Sequence, residues 1–249
     1  MMKAFKYEIF YKVQMEHWWF VARKKIMTDL LQRYAKAKEG GLKILDAGCG
    51  CGVMLNDLSK LGNVYGMDCD DDALAFSQKI FDGPVTKGSL AGNMPRDYTD
   101  FDLVLALDVL EHVEKDEWAI SDMYNALAND GTALITVPAY AGLWSKHDDD
   151  NSHRRRYTKK TLAEKLRKSG FAIERISYYN FLLFVPAAVI RILYRKNEDV
   201  LRHHDKKPNG LINATLMWFF SLEKYLLRWL NLPFGLSIVA VARKTAKKP

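Results

Sequence analysis

A short apolar strand that runs straight into alternating glycines constrains this chain more than any other feature. Lys43-Ile44-Leu45-Asp46 is followed at once by Ala47-Gly48-Cys49-Gly50-Cys51-Gly52. A helix through Leu55, Leu58 and Leu61 comes next and stops at Gly62. Glycine at a strand-to-helix turn lets the backbone approach a ligand with no Cβ in the way. In open α/β sheets ligands lie beyond the carboxyl ends of the strands, where this turn falls. A dinucleotide fingerprint needs its third glycine at position 53, which is Val53, so a nicotinamide site is disfavoured.

The rest of the chain extends the alternation. Strands are expected at 63–68, Val85–Lys87, Phe101–Leu107, Ala133–Val137, Phe171–Ser177 and Ser237–Ala242. Helices are expected over Tyr7–Ala37, Asp71–Phe81 with Asp70 or Asp71 as cap, Asp116–Ala128 and Lys159–Lys168. Strands alternating with helices at this spacing imply parallel βαβ units and a sheet covered on both faces. Between the last two strands lies an apolar insertion, 178–232, interrupted by the polar stretch Arg195–Gly210. A chain of 249 residues with 49% hydrophobic residues holds one α/β domain of this size. Its expected division is an N-terminal helical cap (1–40), a core (41–177 and 233–243) and the helical insertion.

The order of motifs resembles the class I S-adenosylmethionine-dependent methyltransferases. Asp46-x-Gly48-x-Gly50-x-Gly52 is similar to their first motif, and Asp68 ends the second strand. Gly88-Ser89-Leu90 follows the third strand, and Asp108-Val109-Leu110-Glu111-His112-Val113 follows the fourth. The resemblance implies a Rossmann-like, mostly parallel seven-stranded sheet with helices on both faces and a helical insertion before the last strand. It also implies S-adenosyl-L-methionine as cofactor. The ribose would fall to Asp68 with Cys69 beside it, the adenine to Ser89 and Leu90, and the methionine end to Asp46, Asp108 and Val109. Gly48, Gly50 and Gly52 would form the cradle. His17-Trp-Trp-Phe-Val-Ala-Arg23 resembles the opening helix of quinone-type O-methyltransferases, which makes Arg23 a partner for the methionine carboxylate. The alternative is an aromatic stripe packed on the sheet with a solvated arginine.

The loop after the fifth strand carries Tyr140, Trp144, His147, Asp148-Asp149-Asp150, Ser152-His153-Arg154-Arg155-Arg156-Tyr157. It resembles an "S-x-H-D … G-H-x-R-R-Y-T" segment of an uncharacterised bacterial and archaeal group, with Ser152 where glycine is usual. A hydroxyl nucleophile must lose its proton during methyl transfer, and His153 or His147 is suited to take it. Both histidines could equally order the loop through hydrogen bonds. Tyr140, Trp144, Arg154 and Tyr157 are the expected acceptor contacts. Three consecutive arginines cannot all face one way. No metal site is expected, since the Asp148–Asp150 run has no clear partner acid after another strand.

Charge is segregated along the chain. Residues 1–40 have nine Lys/Arg against four Asp/Glu, residues 41–150 seven against twenty, and residues 151–249 twenty-one against six. The final third is therefore +15 beside a middle of −13. Apolar runs fringed with basic residues, such as Phe181–Val185 and Leu216–Phe220, suit an anionic membrane surface or a lipid-linked acceptor. A homodimer interface would use the same apolar surface and leave a small soluble acceptor. A protein that binds the cofactor without catalysis is a third, weaker reading. Nucleic acid is disfavoured as partner, because the Asn/Asp-Pro-Pro-aromatic signature of base methylation is missing. Three cysteines without disulfide spacing, no signal-like leader and no span of about 18–20 apolar residues suggest a cytoplasmic protein, peripheral at the inner membrane face if it meets lipid.

Overall fold

A computed structural model describes residues 2–36, 38–194 and 207–245, with side chains from Tyr7 onward. Much of the polar stretch Arg195–Gly210 and the last basic residues, 246–249, lie outside the described residues.

Seven strands form one sheet: β1 (Leu42–Ala47), β2 (Gly62–Asp68), β3 (Val85–Lys87), β4 (Phe101–Leu107), β5 (Leu127–Pro138), β6 (Phe171–Tyr179) and β7 (Ser237–Lys244). Their order is β3-β2-β1-β4-β5-β7-β6. Strands β1 to β5 pair in parallel, and β7 runs antiparallel between β5 and β6. The sheet is the expected one, parallel but for β7.

Side chains alternate across each strand, so the central strands feed two cores. Leu45, Val104, Ile135 and Ala240 face α5 (Asp116–Ala126) and α7 (Lys159–Lys168) through Ile120, Met123, Leu162 and Leu166. Ile44, Leu103, Leu134 and Val239 face the other way, onto Ile26, Met27 and Leu30 of α2 (Trp18–Tyr34). Asp70 caps α4 (Asp71–Ile80), accepting from the amides of Asp72 and Ala73, and Thr158 caps α7. The helix after the glycine turn, α3, is a single turn, Leu55–Leu58.

The N-terminal helix is not continuous. It breaks at His17, with α1 spanning Met2–Glu16 and α2 beginning at Trp18. The amide of Asn213 replaces the missing helical bonds: its Oδ1 accepts from Trp18 N at 2.9 Å and its Nδ2 donates to Glu16 O at 2.9 Å. No local periodicity could announce a break made by a residue so distant in sequence.

The insertion holds α8 (Phe184–Leu193), α9 (Gly210–Ser221) and α10 (Glu223–Trp229), after the short α6 (Lys146–Asp150) of the preceding loop. It is more than a cap. Phe220, Leu227 and Leu232 are buried in the α2 core, and Phe220 packs edge-on against Trp18 at 5.9 Å. Buried Glu223 accepts from the amides of Asn180 and Leu182, tying α10 to the end of β6.

Candidate active site

The carboxyl ends of β1, β2 and β4 place the glycine loop against Asp68 and Val109. Met67 O accepts from the amides of Gly48 (2.7 Å) and Cys49 (3.0 Å), which folds the loop back over β2. Gly48 has φ +86°, and a Cβ there would sit 2.5 Å from Val109 Cγ2, so only glycine fits. Gly50, at φ +54°, faces open space. The Asp68 carboxylate accepts from Gly50 N at 2.8 Å and Asp70 N at 3.0 Å. Cys69 is exposed beside it, Ser89 is pinned through its amide to Asn93 O, and Leu90 is buried.

Helix α1 lies over this region. Tyr11 meets Phe76 of α4 at 5.3 Å, and Gln14 Oε1 accepts from Cys51 Sγ at 3.4 Å. An open glycine cradle, an acid at the end of β2 and a buried acid behind them fit S-adenosyl-L-methionine. The buried acid is Asp46, whose pKa rises to about 7 because burial and neighbouring Asp68 oppose ionisation, with Arg23 pulling the other way.

Arg23 reaches the β4 end from α2. Its guanidinium is 2.7 Å from Asp108 Oδ2 and donates to Thr136 Oγ1 at 3.1 Å, while that hydroxyl donates to Asp108 Oδ1 at 2.8 Å. Trp19 stacks on the same guanidinium, 5.5 Å from ring centre to Arg23 Cζ. Arg23 is thus not a solvated side chain; it pairs with Asp108. Next along, Glu111 is buried and its Oε2 has no hydrogen-bond partner. Burial, then Asp108, push its pKa well up.

The polar loop folds around an aspartate that sequence reasoning passed over as part of an acidic run. Asp148 is fully buried and accepts from His153 Nδ1 at 2.9 Å, from Arg156 Nε and NH2 at 2.8 and 3.0 Å, and from Ser145 N at 2.9 Å. His112 stands edge-on to His153, ring centres 4.8 Å apart. Burial, then His153, lower its pKa. Ser152 adopts φ +57°, the left-handed region, which accounts for glycine being usual there.

The three arginines diverge. Arg154 bonds the His112 carbonyl, Arg155 pairs with Asp116, and only Arg156 turns inward. Arg156, rather than the expected Arg154, therefore lines the site. Tyr157 is also removed from it: its hydroxyl donates inside the core, near Leu110 O and Asp116. Tyr140 stacks on Tyr178 at 5.0 Å, and Trp144 donates to Asp149. Among the described residues one trio has metal-ligating reach: Glu111, His112 and His153 bring one ligand atom each within 4.8 Å of the others. The sequence pointed to no such set, since its members come from two separate loops.

These groups face a cavity of about 650 Å³. Its polar lining includes Asp108, Glu111, His112, His147, His153 and Arg156. Its apolar lining includes Ile9, Phe10 and Val13 of α1 and Leu183, Ala187 and Ile190 around α8. His153 and His147 thus share one chamber, as do Asp108 and His112.

Residues 18–176 match the family described as a methyltransferase domain. The chain belongs to this family. Within it, the chain is a class I S-adenosylmethionine-dependent methyltransferase related to the quinone-type O-methyltransferases. Over 125 residues it is 35% identical to the mitochondrial ubiquinone biosynthesis O-methyltransferase of Bos taurus, covering 45% of this chain and 34% of that one. The matched stretch spans about a third of the length of such curated relatives. The same fold is found in the TehB-like S-adenosylmethionine-dependent methyltransferase of Corynebacterium glutamicum, at 22% identity and a TM-score of 0.54 over 89% of this chain and 88% of that one. It is found again in phosphoethanolamine N-methyltransferase 2 of Haemonchus contortus, solved with S-adenosyl-L-methionine, at 19% identity and a TM-score of 0.57 over 88% and 52%.

Proposed function

We propose that this methyltransferase methylates a hydroxyl oxygen on the polar head of an acceptor with a long apolar tail, such as a lipid-linked sugar or a quinone-like ring. The observation that carries the proposal is the mixed lining of the cavity, ionisable groups together with apolar side chains from α1 and α8. A small polar metabolite would leave the apolar part of this lining wet, at a cost of about 25 cal/mol per Å² left unburied. Kinship with ubiquinone biosynthesis O-methyltransferases supports oxygen as the methylated atom.

The cofactor, when bound, supplies an electrophilic methyl group on a sulfonium. Asp68 and the Gly48–Gly52 backbone would hold its nucleoside, and Asp46 the neighbourhood of its positive charge. The protein's own part is to orient the hydroxyl and accept its proton. Asp148, held ionised by its hydrogen bonds, fixes the His153 Nδ1 proton toward itself at 2.9 Å. That tautomer leaves the lone pair on Nε2, where the hydroxyl proton is delivered as the oxygen attacks.

The trio Glu111, His112 and His153 favours a second reading, in which a divalent cation lowers the acceptor hydroxyl pKa and no protein base is used. Turnover abolished by a chelator and restored by one cation would select it. The main proposal is tested by incubating the protein with labelled S-adenosyl-L-methionine and either a lipid extract or a soluble metabolite extract. Label entering only the soluble fraction overturns the tailed acceptor.

A further inference from the structure

Asn180 follows the last residue of β6 and lines the cavity. The residue is 3% exposed, and among the described residues its buried Oδ1 finds no hydrogen-bond donor. An oxygen removed from water and left unpaired costs folding free energy, so native chains seldom keep one without a use for it. The backbone conformation adds to that cost. Asn180 has φ +60°, in the left-handed region where glycine is least hindered. Its peptide groups are held on both sides: the amide donates to Glu223 Oε2 at 2.7 Å, and the carbonyl accepts from Leu236 N at 3.4 Å. The turn is thus closed by backbone bonds and needs no side chain at this position, yet it fixes a carboxamide oxygen in the cavity lining.

We infer that Asn180 is a specificity-determining residue whose Oδ1 receives a hydrogen bond from a second donor on the acceptor, a hydroxyl or N–H other than the group that is methylated. The inference rests on the reading of this cavity as the acceptor chamber. Glu111, 1% exposed, lines the same cavity and its Oε2 is also unpaired, so the polar lining is short of donors at two buried oxygens. Beyond Asn180 the chain supplies Leu183, Ala187 and Ile190 to the lining, so one segment offers both a polar anchor and apolar contacts. The cofactor nucleoside is the poorer donor. Asp68 and the glycine loop stand at the ends of β2 and β1, whereas β6 is the opposite edge of the sheet, with β4, β5 and β7 between. A hydrogen bond at Asn180 would fix the rotation of the head group and so the direction from which its other hydroxyl meets His153. An analogue without the second donor would leave the buried oxygen unpaired again, which is how such a site rejects it.

The test compares the native chain with Asn180→Gly and Asn180→Asp in methyl transfer from labelled S-adenosyl-L-methionine to a dose series of combined lipid and soluble extracts. Thermal unfolding and titration with S-adenosylhomocysteine accompany it. Glycine suits the positive φ and removes the unpaired oxygen, so that variant should unfold no earlier than the native chain. Its half-saturating extract dose should rise about tenfold with the plateau rate kept, as when one hydrogen bond made equally in ground and transition states is lost. Aspartate keeps an accepting oxygen and should recover most of that loss. An unchanged half-saturating dose in the glycine variant, or a lower plateau with earlier unfolding, overturns the inference and leaves Asn180 a structural residue. Weakened S-adenosylhomocysteine binding also overturns it and gives the carboxamide to the cofactor. An aspartate variant no better than the glycine one removes the accepting role. Label confined to the soluble fraction, with the dose shift intact, supports the inference and removes only the apolar tail of the acceptor.

Discussion

Arg156 and Asp148 meet through two parallel hydrogen bonds, Nε to Oδ1 at 2.8 Å and NH2 to Oδ2 at 3.0 Å, with both side chains almost wholly out of solvent. The same carboxylate receives His153, so one buried ion pair sets the position of the proposed base.

Replacing Asp148 with Asn leaves the Arg156 charge buried without its partner, and should cost about 3–5 kcal/mol at neutral pH. Burial alone would raise the Asp148 pKa, but the bonds from His153 and Arg156 overcome it and hold the carboxyl well below the usual range. A depressed folded-state pKa gives stability that is present above the unfolded value of about 3.9 and lost as pH falls below it. Urea unfolding of both proteins across this range should show their difference shrinking on the acid side. A pH-independent difference would mean that the charge of Asp148 is not what matters.

His153→Ala should lower turnover on the order of 10²–10⁴-fold if the imidazole accepts the hydroxyl proton. Affinity for S-adenosylhomocysteine, measured by calorimetry, should barely move, since His153 lies on the polar loop and not on the glycine loop. If instead His147→Ala is inactive and His153→Ala near normal, the role passes to His147, which faces the same cavity.

Asp68→Ala should weaken S-adenosylhomocysteine binding by about 1.5–3 kcal/mol, the cost of losing a hydrogen bond to a charged group. Part of that loss comes from the loop, because Asp68 also accepts from the Gly50 amide. Unchanged affinity would take Asp68 out of the site. NAD should not bind either protein.

Asp46 predicts a pH dependence of opposite sign in folding and in binding. Its folded-state pKa is raised to about 7. Its contribution to the stability of the unliganded protein is therefore fully present below the unfolded value of about 3.9 and lost as pH rises through 7. A bound sulfonium instead favours the ionised form, so affinity for S-adenosylmethionine should increase with pH through the same window. The increase should be shallower for S-adenosylhomocysteine, whose sulfur is neutral. Asp46→Asn should flatten it, and a flat profile in the native protein would remove Asp46 from the charge balance.

The sheet was legible because its strands are short apolar runs set off by glycine, and because period-two burial needs no knowledge of distant residues. The cofactor loop was legible for a related reason: backbone at positive φ forces glycine, and glycine is visible in a sequence. What escaped notice depends on side chains brought together by folding. Asn213 breaks a helix that begins the chain, and the inward turn of Arg156 rather than Arg154 follows from where buried Asp148 sits. Glu111, His112 and His153 gather across two loops. A run of three aspartates gave no sign that its first member is buried and the others are not.

Strand β6 touches the sheet only through β7, which is the later of the two in the chain. During synthesis the five parallel strands can therefore associate while β6 waits, unpaired, for everything up to Lys244 to emerge from the ribosome. Its edge and the apolar helices behind it are exposed together over that interval. The period of greatest aggregation risk thus runs from the emergence of β6 to that of β7, and a chaperone that shields nascent chains would matter most over that interval.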